Sequence, residues 1–177
     1  MATAKKKSAS KQTAPESTSD SDAIELLTSD HAEVKELFEA YEDLVDDDAE
    51  DDEKLTLAHK ICMMLTVHAT IEEEIFYPAA KELLDEPDLV NEATVEHASA
   101  KELIAQIEES DPSDELFDSK VKVLAEYIEH HVREEEDEMF PAVQDAGMDT
   151  ASVGEELSLR KEELMAEMSE DDEADEE

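Results

Sequence analysis

The chain has 177 residues, enough for one domain with a single core and tails, and 54 acidic residues against 14 basic ones give a formal charge of −40. Four of the bases, Lys5, Lys6, Lys7 and Lys11, lie at the extreme N-terminus, so the rest of the chain carries almost no positive charge, which argues against nucleic acid or an anionic membrane surface as a partner. So much like charge repels itself at low salt and suits a salt- or cation-rich setting.

Residues 1–21 are basic and then polar, with no apolar run of a leader peptide, and no segment approaches the ~20 apolar residues of a membrane span. They read as a disordered tail on a cytoplasmic protein. Two glycines and five prolines leave little material for hairpins, and the remainder of the chain has the composition of long helices.

The first predicted helix runs from about Ser21 or Asp22, either of which can cap it, to about Val45. Its apolar seam is Ile24, Leu27, His31, Val34, Phe38 and Tyr41, the alternating spacing of a bundle-facing stripe with a histidine at an inward position. The second, from about Glu53 to Leu84, aligns Ile61, Leu65, His68, Glu72 and Ile75 or Phe76 on one stripe. The third, about Pro87 to Glu109, aligns Val90, Ala93, His97, Ala100, Ile104 and Ile107, and the fourth, about Ser113 to Gln144, aligns Val121, Leu124, Ile128, His131 and Glu135. Short loops favour an antiparallel up-down-up-down four-helix bundle over residues 22–145. A short C-terminal helix is expected within residues 146–168, from about Val153 to Met168, followed by an acidic disordered tail over 169–177. Pro78 and Pro141 stand at equivalent places near the ends of the second and fourth helices, where a proline kinks or terminates a helix.

The four helices are a duplication. Asp30-His31-Ala-Glu-Val-Lys-Glu-Leu matches Glu96-His97-Ala-Ser-Ala-Lys-Glu-Leu, and the stretch from His68 to Pro78 lies over that from His131 to Pro141. Each repeat carries one lone histidine and one His-x3-Glu, and a His and a Glu four apart share a helix face about one turn of ~5.4 Å apart. A carboxylate on a bundle stripe costs several kcal/mol unless paired, and Lys35, Lys101 and Arg133 all lie off the stripe. Two acids and four imidazoles on inward positions therefore call for a cation, and two such helix pairs describe a dinuclear site inside a four-helix bundle. Imidazole with carboxylate suits iron, manganese or zinc, and the paired carboxylates favour a redox-active iron pair. His130 adjoins His131, and alignment with His68 selects His131. His59 reads as solvated, Cys62 as a core thiol, and Tyr41, Tyr77 and Tyr127 as core or rim residues, with Tyr41 the foremost candidate to support the site. Glu73, Glu74, Glu134 and Glu136 read most simply as solvated charge, although acids beside a cation site could recruit iron.

On these motifs the chain resembles the hemerythrin-like proteins, the HHE cation-binding family, over about residues 22–145. The resemblance implies a non-haem di-iron centre, oxo- or hydroxo-bridged, with His31, His68, His97 and His131 as terminal ligands and Glu72 and Glu135 as bridges. Oxygen-carrying members have a fifth histidine where this chain has Lys101, and H-x4-D where it has H-x3-E. The pattern is closer to the bacterial di-iron iron-sulfur repair proteins and the iron-sensing domains. Three functions are expected from it. The first is a protein that binds O2 or a related diatomic, or senses or handles iron under oxidative or nitrosative stress. The second is a di-iron oxidase, peroxidase or cluster-repair factor. The third is a metal-free acidic helical module.

Overall fold

The computed structural model describes residues 22–85 and 87–175, with side chains described to residue 168. The tail expected over residues 1–21 lies outside the described residues. Helix α1 spans Ala23–Asp46 and α2 Asp51–Ile71. From there a π-helical turn, Glu72–Phe76, leads without a break into α3, Tyr77–Leu83. Helix α4 spans Asp88–Glu108, and α5, Phe117–Glu134, passes through a second π turn, Glu135–Met139, into α6, Phe140–Asp145. Helix α7, Thr150–Asp175, is the last described element.

The first four rods form the antiparallel bundle in cyclic order α1, α2, α4, α5, as their short connections require. Asp22 caps α1 by accepting a hydrogen bond from the Ile24 N–H at 2.9 Å. Neither proline ends its helix; each sits just beyond a π turn. A proline ring clashes with the carbonyl four residues before it, and widening the turn relieves the clash. The N–H groups of Tyr77 and Phe140 accordingly donate five residues back, to the carbonyls of Glu72 and Glu135.

Two apolar clusters fill the bundle. One, around Leu27, Ile71, Phe76, Val90, Phe140 and Val143, occupies the end bearing the π turns. The other, around Val34, Ile61, Leu65, Ile104, Phe117 and Leu124, occupies the far end, where the Tyr41 hydroxyl and the Lys54 ammonium both donate to Asp118. Between them lies a layer of buried polar side chains.

The fifth helix is longer than the sequence pattern predicts: its backbone remains helical to Asp175, across most of the expected acidic tail. It packs across α1 and α2. Thr150 donates a hydrogen bond to Asp22 at the start of α1, and Leu157 is completely buried in the first apolar cluster. Gly147, at φ 86°, supplies the left-handed turn between α6 and α7. Leu157→Ala is expected to destabilise the protein by about 2–5 kcal/mol in denaturant unfolding, while Leu159→Ala, at a position 58% exposed, changes stability by under about 0.5 kcal/mol.

Candidate metal centre

Each helix of the bundle brings one histidine to the polar layer, and the π turns begin on the two glutamates. His31, His68, His97 and His131 are 4–9% exposed, and Glu72 and Glu135 are 0% and 1% exposed. One donor atom each from His31, His68, Glu72 and Glu135 lies within 4.8 Å of the others, and Glu72, His97 and His131 form an adjoining group of three within the same distance. Glu72 Oε2 stands 3.3 Å from Nε2 of both His68 and His97. Glu135 Oε2 stands 3.3 Å from His31 Nε2 and 3.5 Å from His131 Nε2. The six residues singled out from the sequence therefore meet in one place, with each glutamate lying between histidines of different repeats.

The outer nitrogens of all four rings are held by acids. His31 Nδ1 meets Glu136 at 2.9 Å, His68 Nδ1 meets Asp30 at 3.3 Å, His97 Nδ1 meets Glu73 at 3.0 Å and His131 Nδ1 meets Glu96 at 2.8 Å. A carboxylate accepts, so each Nδ1 donates to its acid and each ring turns its Nε2 inward. The inward nitrogens then face each other at 3.1 Å, His31 against His68 and His97 against His131. Both carboxylate oxygens of Glu72, and Oε2 of Glu135, are buried without a hydrogen-bond donor. Electron pairs converging in an apolar interior repel one another unless an electrophile lies among them.

In the protein without a cation that electrophile is a proton. Burial works against charging His68, but the Glu72 charge, the bond to Asp30 and the Glu135 charge outweigh it and lift the imidazole from 6.5 to about 10. Burial would raise Glu72, yet the His68 charge and contacts with His68 and His97 hold it well below the usual carboxylate range.

The four outer acids repeat in register, Asp30 with Glu96 and Glu73 with Glu136. Glu73 and Glu136 are thus not merely solvated charge: they orient His97 and His31. Lys101 donates to Glu73 at 2.6 Å, and Lys161, from α7, donates to Asp30. Tyr41 points away from the layer, to Asp118, and Tyr77 takes the supporting place instead. Its hydroxyl donates to Glu135 Oε1 at 2.8 Å and lies 3.1 Å from His97 Nε2. At the equivalent position of the second repeat Phe140 stacks on His31, the ring centroids 5.9 Å apart. The sequence signal for Tyr77 was available in the duplication: it is the one aromatic hydroxyl in the repeated stretch, and its partner in the other repeat is Phe140.

His130 is exposed and takes no part in the layer, leaving His131 as the residue that does. His59 is exposed, and Cys62 is buried, its thiol pushed up to about 12 by burial and the Glu108 charge, which leaves it inert. A cavity of about 150 Å³ adjoins the four histidines. Its walls include Val34, Leu65, Ala100, Ile104 and Ile128, and α7 contributes Lys161 and Met165 to its lining.

The chain is similar to known proteins in three comparisons. A solved structure of a hemerythrin HHE cation binding domain-containing protein from Mycobacterium kansasii superposes with a TM-score of 0.69, at 22% identity, over 83% of this chain and 89% of that one. A protein of Nostoc sp. named a DNA nickase is 38% identical over 79 residues, which are 45% of this chain and 22% of the relative, so the likeness spans under a quarter of that protein. The hemerythrin HHE cation binding domain matches residues 22–143. With that match spanning most of the chain, and with histidines and glutamates gathered in the bundle, the protein belongs to the hemerythrin HHE cation-binding domain family.

Proposed function

We propose that the chain is a non-haem di-iron protein in which His31, His68, His97 and His131 are terminal ligands and Glu72 and Glu135 bridge the two ions, and that it binds O2 or a related diatomic in the adjoining chamber. The convergence of four inward Nε2 atoms on two buried carboxylates carries this reading. Six carboxylates, Glu72 and Glu135 with the outer Asp30, Glu73, Glu96 and Glu136, meet two ammonium groups, Lys101 and Lys161, an excess of negative charge that bound cations would offset. The nitrogen and carboxylate donors suit iron, and a bound iron pair supplies reversible electron transfer to a small ligand.

The protein's own groups fix the conditions of that chemistry. Glu136, Asp30, Glu73 and Glu96 hold the rings in one tautomer and orientation. Much of the chamber wall is apolar, and the Tyr77 hydroxyl donates to Glu135 Oε1 at 2.8 Å. That hydroxyl favours a second reading, a di-iron oxidase or peroxidase, because it places a proton donor within reach of the centre. Absorbance on exposure to O2 separates the two: a carrier gives a stable charge-transfer band that disappears on deoxygenation, whereas an enzyme oxidises without reversal or turns over.

Protein from iron-supplied cells is expected to contain about two irons per chain, falling to about one or none in His68→Ala and Glu135→Ala, by elemental analysis. Full iron in both variants would remove the assignment. Proton and cation compete for the same lone pairs, which makes stability depend on pH. Below pH 6.5 His68 is protonated folded or unfolded, and its contribution to metal-free stability is complete; between 6.5 and about 10 only the folded form keeps the proton, and the contribution drains away as pH rises. The melting temperature of metal-free protein is therefore expected to fall across that window, while iron-loaded protein, whose cation replaces the proton, shows a flatter profile and a widening advantage.

A further inference from the structure

We propose that Glu96, His130 and Glu134 form a surface site for a divalent cation, and that this site loads the buried centre through the cavity between α4 and α5. The inference rests on the di-iron reading for the loading step alone. His130 Nε2 lies 3.5 Å from Glu96 Oε1 and 3.3 Å from Glu134 Oε1, and one donor atom from each of the three lies within 4.8 Å of the others. An imidazole with two carboxylates is a donor set for Fe2+, Mn2+, Co2+ or Zn2+.

Two further observations point to a mobile cation there. A cavity of about 170 Å³ is lined at once by Glu96 and His130 of this cluster and by His97 and His131 of the centre, so the outer and inner donors share one space. Glu96 belongs to both: Oε1 faces His130 while Oε2 holds His131 Nδ1 at 2.8 Å. The duplication supplies the second observation. Glu96 corresponds to Asp30, whose outer oxygen is neutralised by the Lys161 ammonium. Glu96 has no lysine or arginine partner among the described residues; His130 and Glu134 stand there instead, where the first repeat has Val67 and Ile71. A fixed cation on one side is thus replaced on the other by three ligands, with two negative charges, for an exchangeable one.

The test counts Co2+ ions bound per chain at about 1 M salt, where screening over about 3 Å suppresses diffuse attraction to the acidic surface. It also measures the rate at which metal-free protein fills its centre. His130→Ala and Glu134→Gln change outlying side chains and leave Glu96 on His131. Wild type is expected to bind one ion more than either variant, and both variants are expected to fill the inner pair at least about tenfold more slowly to the same final occupancy. Equal ion counts in wild type and both variants, or unchanged filling rates, would overturn the proposal. The same count in His68→Ala protein, where the centre is impaired, separates the two readings: an ion still lost with His130 supports the surface site even where the centre fails, and an ion not lost with it overturns the site.

Discussion

Two carboxylates enclosed between apolar clusters, with four imidazole Nε2 atoms turned toward them, are the constraint that organises this molecule. Neither acid has a lysine or arginine within reach among the described residues, and an uncompensated charge at such a position costs several kcal/mol. Every distinctive feature nearby answers that cost. Outer acids fix the rings, Tyr77 satisfies one oxygen of Glu135, and Lys101 and Lys161 offset part of the outer charge without entering the layer. The apolar clusters above and below hold the helices at the spacing that keeps the donors together.

The π turns show how local backbone chemistry serves this layer. Each begins on a buried glutamate and is followed by a proline, so the residue widening the turn and the residue requiring it are close neighbours. The wider turn carries both Phe76 and Tyr77, and both Met139 and Phe140, into the interior beside the donors. Without it a straight α-helix would turn one of each pair toward the outer face.

Much of this was legible in the chain itself. The stripe periodicity located the bundle helices to within a few residues, because amphipathic spacing is a local property; the start of α5 at Phe117 is the largest shift, since Ser113 to Leu116 form turns rather than helix. The duplication located the six inward donors for the same reason: inward position is set by register. Glu73 and Glu136 were hidden because they sit in acidic runs, where one acid looks like another until a neighbouring helix supplies the histidine. Lys161 was hidden for a stronger reason. Its contact with Asp30 spans 131 positions and depends on α7 crossing α1 and α2, which no periodicity encodes. Tyr41 and Tyr77 exchanged roles because the π turn, itself invisible to a simple helical wheel, rotates Tyr77 inward.

The crossing pattern of support means that the two halves of the chain cannot be separated chemically. Glu136 of the second half steadies His31 of the first, Glu73 of the first steadies His97 of the second, and each buried glutamate reaches a ring belonging to the opposite half. A lone half would own three donors and an orphaned acid. Its doubling therefore supplies more than a second copy: each copy provides the contacts that the other's buried side chains require, and assembly of the core also completes the polar layer.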